Sequence, residues 1–256
     1  MNQPPLINPP PAAPPRPRMS LAARLLNIFA VPGEVFSDLR AASASVTNWL
    51  VPAFLAAIVG GASVLVVLSQ PAVQKQIQER QSALLEKAAQ AGKLTKEERQ
   101  AAERFTGPTA IKAFGIAGAV AGSFINVLWW GFLLWFLSRV LLKVPLAYSK
   151  TLEVAGLSMM VNVLGGIVAL LLITQLGTGE TGSSLTIVVK DFDSARKSHA
   201  FAIATTVFAF WVVGVRSVGL ARLAGVPYLR AAWLVVACWM LEQSLLVITG
   251  LGQLAA

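Results

Sequence analysis

Five long stretches of this chain carry almost no charged residues, and they limit the fold more than any other feature of the sequence. The stretches cover residues 48–70, 113–138, 154–179, 200–215 and 231–251. A helix that crosses the hydrocarbon core of a bilayer needs about 20 mostly apolar residues. Because the core offers no water, backbone N–H and C=O groups must pair within the segment, so such stretches can only be helices. The sequence therefore predicts a polytopic membrane protein.

The overall composition supports that class. Hydrophobic residues make up 55% of the chain and charged residues 13%, whereas soluble domains average about 25% charged residues. The formal net charge is +9, and the basic residues lie beside the predicted span ends, where anionic headgroups and topology signals account for them. We therefore expect no nucleic-acid partner. One cysteine and one histidine allow neither an intrachain disulfide nor a metal site built on several such ligands.

The pattern divides the chain into three regions. Residues 1–18 are predicted to be a disordered tail, because eight prolines oppose helix formation. Residues 19–47 are predicted to form short amphipathic helices at the membrane interface, the first capped by Ser20 and the second starting at Pro32 with Val35, Phe36 and Leu39 on its apolar side. Packing beneath the bundle is the alternative placement, and the two are compatible. Residues 48–256 form the membrane domain.

The membrane domain is predicted to be an all-α polytopic bundle. Its five transmembrane helices cover about residues 49–69, 113–137, 152–176, 200–218 and 231–251. A polar loop over residues 71–112 joins the first two spans, and a capping box at residues 95–98 indicates that it is helical. The connectors after the second and fourth spans share a Val-Pro pair, a tyrosine and a basic residue. That similarity suggests two tandem helix hairpins of the same orientation, although chance explains it equally well.

Three polar residues lie deep within the predicted spans. Glu242 is about 18 Å along a helix from Arg230, and Asn126 and Asn162 come to a similar depth. A charged carboxylate there costs several kcal/mol, so Glu242 should be protonated or paired. The three residues form a candidate site for an ion, a proton or a headgroup. The alternative is interhelical hydrogen bonding that stabilises the bundle by about 0.6 kcal/mol per contact.

Basic residues beside the spans are candidate headgroup anchors: Arg139, Lys143, Arg216, Arg222 and Arg230. We expect Arg216 to extend from the short fourth span towards the headgroups, and not to act as the counter-ion of Glu242. The distribution of basic residues favours a cytoplasmic N-terminus and a non-cytoplasmic C-terminus. Sequence patterns of serine hydrolases, zinc proteases and Walker-type nucleotide-binding proteins do not occur. We therefore expect no catalytic residues, no metal ligands and no cofactor.

A P-x-x-x-F element formed by Pro32 and Phe36 precedes the five spans, a long polar loop follows the first span, and residues 208–227 read FAFWVVGVRSVGLARLAGVP. This layout resembles the Yip domain family of five-span membrane proteins, whose eukaryotic members interact with Rab-type GTPases. The resemblance implies a cytoplasmic N-terminus and a non-cytoplasmic C-terminus. The aspartate–leucine–tyrosine–glycine–proline element of the eukaryotic branch does not occur. We therefore expect a bacterial-type member in the inner membrane, without a Rab-type GTPase partner.

These features lead to two functional hypotheses of different classes. The first is a non-enzymatic Yip-like integral membrane protein that scaffolds membrane partners or organises lipid. Its expected partners are the lipid bilayer and either another membrane protein or a second copy of the chain. The alternative is a subunit of a small transporter or proton-coupled channel that uses Asn126, Asn162 and Glu242. Five spans are few for a complete transporter, so this alternative implies oligomerisation.

Overall fold

The elements of the protein are helices that follow the apolar pattern of the sequence. A computed structural model describes residues 18–71, 73–75, 79, 107–176 and 206–249. Two short helices, α1 (Leu21–Asn27) and α2 (Pro32–Ala41), come first. Five long helices follow: α3 (Thr47–Ser69), α4 (Pro108–Phe136), α5 (Tyr148–Leu176), α6 (Val207–Ala224) and α7 (Tyr228–Thr249). A π-helical turn at Leu137–Leu141 extends α4.

The five long helices are the predicted spans. Each is long and apolar enough to cross a membrane, so the prediction of an all-α bundle with five membrane-spanning helices is confirmed. α4 begins at Pro108, ahead of the predicted start of the second span at about residue 113. Proline is favoured at the first position of a helix because its missing N–H would have no partner there. Residues 1–17 of the predicted tail and nearly all of the predicted polar loop lie outside the described residues.

The fourth span differs in position from the prediction of residues 200–218. It begins after Thr206, whose hydroxyl accepts a hydrogen bond from the Ala209 N–H at 3.0 Å. It ends at Gly225, which adopts a left-handed conformation with φ of 68°, a common way to terminate a helix. The span therefore ends six residues later than predicted, and Arg216 lies near its middle.

The two short helices lie across one end of the bundle. α1 is capped as predicted, because the Ser20 hydroxyl accepts a hydrogen bond from the Ala23 N–H at 3.2 Å. α2 packs on α6, and its predicted apolar side, formed by Val35, Phe36 and Leu39, is fully buried. We call residues 18–46, together with the connectors 142–147 and 225–227, the platform.

The two connectors of the platform share a backbone feature. Lys143 and Gly225, the residues directly before each Val-Pro pair, have φ of 58° and 68°. They are the described residues with clearly positive φ. This shared geometry agrees with two helix hairpins of the same orientation, α4–α5 and α6–α7.

α5 lies at the centre of the bundle, against α3, α4 and α6. Its closest approach to α3 is at Gly156, where an added Cβ would lie only 2.2 Å from the Trp49 Cα. A side chain there would force the two helices apart. The glycine thus lets α3 and α5 meet next to the platform, where their polar residues interact.

Candidate functional site

A buried ion-pair network joins the platform to the spans, and it starts at Arg24 of α1. Arg24 is only 8% exposed. Its Nη2 lies 2.9 Å from Asp38 Oδ2, and its Nε donates to the same oxygen at 3.0 Å. The other carboxylate oxygen of Asp38 accepts from the Met19 N–H at 3.3 Å. This pair therefore fastens α1 to α2.

Asn48 and Glu153 extend the network from α1 to the spans. Arg24 Nη1 donates to Asn48 Oδ1 at 3.2 Å, and Asn48 Nδ2 donates to Glu153 Oε1 at 2.5 Å. The same Glu153 oxygen accepts from the Ser45 N–H at 2.8 Å. Asn48 and Glu153 are almost completely buried, so these hydrogen bonds form away from water and connect α1, α3 and α5.

Lys150 completes the network at the start of α5. Its ammonium donates to the carbonyl oxygens of Leu39 and Ala42 at 2.7 and 2.8 Å. It lies 3.1 Å from Glu153 Oε2, an oxygen that makes no aligned hydrogen bond within the described residues, so this contact is electrostatic. The two cations, Arg24 and Lys150, balance the two carboxylates, Asp38 and Glu153. Removal of one member of a buried ion pair leaves the charge of its partner unpaired, which typically costs about 3–5 kcal/mol. The ion-pair network therefore links the platform to the spans.

A second polar cluster lies between the spans and is centred on Arg216 of α6. Arg216 is only 3% exposed, and its Cζ lies 3.9 Å from the centre of the Trp130 ring. Its Nε donates to Ser158 Oγ at 3.4 Å and its Nη2 to Asn126 Oδ1 at 3.5 Å. A guanidinium over an aromatic face gains stability when it is shielded from water. Arg216 therefore lies inside the bundle, and not at the headgroup position expected of an anchor.

Glu242 of α7 belongs to the same region. Its Oε1 accepts a hydrogen bond from Trp129 Nε1 at 2.9 Å. Within the described residues, the Glu242 carboxyl group and the Arg216 guanidinium form no ion pair within 4 Å. Because Trp129 and Trp130 are adjacent on α4, that helix connects the acid to the arginine.

The predicted mid-membrane cluster is partly assembled in this region. Counted along the helices from the platform, Asn126, Asn162 and Glu242 each lie about 21–22 Å deep. Asn126 contacts Arg216, and Glu242 contacts the neighbouring Trp129. Asn162 is half-buried and lies one helical turn beyond Ser158, outside these hydrogen bonds. The cluster places two ionisable residues, Arg216 and Glu242, within the spans, and such residues in membrane proteins belong either to an ion or proton path or to a stabilising contact.

The other four predicted anchors are exposed and lie at the platform end: Arg139, Lys143, Arg222 and Arg230. The Arg139 guanidinium lies 5.5 Å from the centre of the Trp135 ring. These positions suit contact with phosphate headgroups, which attract basic side chains near a membrane surface.

Sequence reasoning did not identify the ion-pair network. Arg24 and Asp38 occur in short polar helices where charges usually face water, and Glu153 occurs at the border of a span. One local signal pointed to it, since Lys150 and Glu153 have the spacing of an ion pair on one helix face. The contacts to Asn48 and Arg24 depend on tertiary packing.

The comparisons with known proteins agree with this architecture. No significant match was found among the curated proteins or among the solved structures. The sequence model of the Yip1 domain matches residues 26–250, which include the α2 helix and all five spans. The chain therefore belongs to the Yip1 domain family and is a multi-pass integral membrane protein.

Proposed function

We propose that this chain is a non-enzymatic membrane protein that organises anionic lipid, and membrane partners with it, at its platform end. The observation that carries the proposal is the charge of that end. Six exposed basic residues gather there: Arg18, Arg40, Arg139, Lys143, Arg222 and Arg230. Among the described residues of the platform, Glu34 is the exposed acid. Asp38 and Glu153 are occupied in the ion-pair network.

The internal pairing of the acids is what makes the surface basic. Because Asp38 and Glu153 are paired with Arg24 and Lys150, they do not neutralise the exposed cations at the membrane surface. Basic residues beside spans favour the cytoplasmic side, and each contributes about 1 kcal/mol of attraction to anionic lipid near the surface. The proposed location is therefore the inner membrane of a bacterium, with the platform in the cytoplasm.

A non-enzymatic role fits the family, because Yip1 family membrane proteins are generally not enzymes. The rigid attachment of α1 and α2 also suits a scaffold, since a surface fixed to the spans loses little conformational entropy when it binds.

Lipid and protein analysis by mass spectrometry after purification in mild detergent tests the proposal. We expect anionic phospholipid to be enriched over the bulk membrane, and the enrichment to decrease at high salt because the attraction is screened. A variant with glutamine at the six exposed basic positions should lose the enrichment. The control replaces Lys75, six residues beyond the end of α3, and Lys112, near the start of α4; both lie at the end of the spans opposite the platform, and this variant should keep the enrichment. Equal lipid content in all three proteins would contradict the proposal.

A transporter or proton-coupled channel subunit is the second candidate. The observation that favours it is the presence of two ionisable residues within the spans, Arg216 and Glu242, which contact the adjacent Trp130 and Trp129. Ionisable residues in spans often belong to ion or proton pathways. Substitution of Glu242 distinguishes this candidate from a structural role.

A further inference from the structure

A cavity of about 640 Å³ lies in the platform between α2 and the C-terminal half of α6. Arg40 and Arg222 line it together with Tyr228 and the aliphatic side chains of Val218 and Ala221. Neither the ion-pair network nor the cluster around Arg216 uses these side chains. The cavity is therefore separate from both polar clusters.

The two arginines are held in place by crossed contacts. An added Cβ on Gly33 of α2 would lie 3.4 Å from Arg222 Nη2, and an added Cβ on Gly225 would lie 3.3 Å from Arg40 Nη2. Each guanidinium thus rests on a glycine of the opposite element. Arg40 Nη1 also donates to the Arg222 carbonyl at 3.3 Å. This bracing brings two positive charges to one cavity.

No described carboxylate lies within 4 Å of either guanidinium. Glu34, the exposed acid next to Gly33, makes no such ion pair within the described residues. The two guanidinia present about ten N–H donors, of which one hydrogen bond is formed within the described chain. Two like charges that line one cavity repel one another, and a bound anion would offset that repulsion. The forked guanidinium matches the oxygens of a phosphate.

The walls of the cavity indicate how that anion is carried. Val218 lies about 10 Å along α6 from Gly225, so the lining of the cavity includes apolar side chains further along α6 as well as the two arginines. We propose that this cavity binds a phosphate group through Arg40 and Arg222, carried by a lipid headgroup or supplied as free phosphate. The proposal of this site rests on the lipid-organising function proposed above, and it assigns that function to specific residues.

Binding of a fluorescent short-chain phosphatidate to the full chain in an uncharged detergent tests the site. We expect saturable binding by the unaltered protein. Arg40→Gln and Arg222→Gln should each weaken it about tenfold or more, since each removes charged hydrogen bonds, and the double variant should abolish saturable binding. Arg222→Lys keeps the charge but loses the fork, and should bind with intermediate affinity. Lys75→Gln, which removes an exposed cation beyond the far end of α3 and outside the basic surface, should bind as the unaltered protein does.

Competition identifies the source of the phosphate. Displacement of the probe by millimolar inorganic phosphate supports the site with free phosphate as its ligand. Displacement by unlabelled phosphatidate or phosphatidylglycerol alone supports a lipid headgroup. Both arginines are exposed, so the variants should fold, as size-exclusion chromatography would verify. If Arg222→Gln does not fold, the affinities of Arg40→Gln and Arg222→Lys for the probe show whether the two arginines form the site.

Two results would overturn the site: no saturable binding by the unaltered protein, or binding that the double variant retains. A double variant that loses probe binding but still co-purifies with anionic lipid supports the site and shows that the rest of the basic surface also attracts lipid. A double variant that keeps both overturns the site and leaves the proposed function intact. If only the six-residue variant loses lipid enrichment and the double variant keeps probe binding, the site is likewise overturned and the proposed function is left intact.

Discussion

Replacement of Glu153 by glutamine should release the platform from the spans. Glutamine keeps an oxygen that can accept from Asn48 and Ser45, so the principal loss is the negative charge beside Lys150. Removing one partner of a buried pair costs about 3–5 kcal/mol. The Lys150 side chain is 18% exposed, and water offsets part of that cost. We therefore expect about 3 kcal/mol, which raises the opening equilibrium of the platform roughly a hundredfold.

Thiol labelling of a buried position measures that opening. Val35 of α2 is fully buried, so Val35→Cys in a Cys238→Ser background should react slowly with a thiol reagent in detergent. Glu153→Gln should accelerate the reaction roughly a hundredfold. The double variant Glu153→Gln/Lys150→Met should be destabilised by less than the sum of the two single variants, because the effects of residues in contact are not additive. Glu34→Gln, which alters an exposed acid of α2, is the matched control. An unchanged labelling rate in Glu153→Gln would refute the assigned role of the network.

Three further predictions test packing, the intramembrane cluster and the polar loop. Gly156→Ala should destabilise the protein by about 1–3 kcal/mol, because the added Cβ would collide with Trp49. Gly214→Ala is the control and should not destabilise it, because no atom lies within 4 Å of the added Cβ. Thermal unfolding in detergent compares the two variants, and equal midpoints would contradict the close approach of α3 and α5. Glu242→Gln should be tolerated because its oxygen can still accept from the indole, while Glu242→Leu should cost on the order of 1 kcal/mol; loss of an ion or proton flux in both variants at unchanged stability would favour the transport candidate. A cysteine at Gln90, outside the described residues, should react with an impermeant thiol reagent in intact cells, and protection that persists in detergent would indicate a buried interface.

The spans were predictable because the signal for them is local. A run of about 20 apolar residues has few alternatives to a helix in a bilayer, and the cap at Ser20 and the apolar side of α2 depend on neighbouring residues only. The fourth span was placed too early because charge was taken to mark its end. Arg216 is compatible with the middle of α6 since it lies over Trp130, a contact that no spacing in the sequence reveals.

The polar contacts were predictable only in part. The depth of Asn126 and Glu242 follows from helical rise, but their actual partners, Arg216 and Trp129, depend on how α4, α6 and α7 are rotated against each other. The same holds for Arg40 and Arg222, which are 182 positions apart and meet only because α2 packs on α6.

The side of the membrane on which the platform lies is the central claim, because both the lipid function and the phosphate site depend on it. An impermeant thiol reagent applied to a Cys238→Ser background tests it most directly. A cysteine at Ser37, exposed on α2, should react in inverted membrane vesicles and not in intact cells. A cysteine at Ala256 should show the opposite pattern, because an odd number of spans separates the two positions. Reaction of both cysteines from the same side, or of Ser37→Cys in intact cells, would contradict the account.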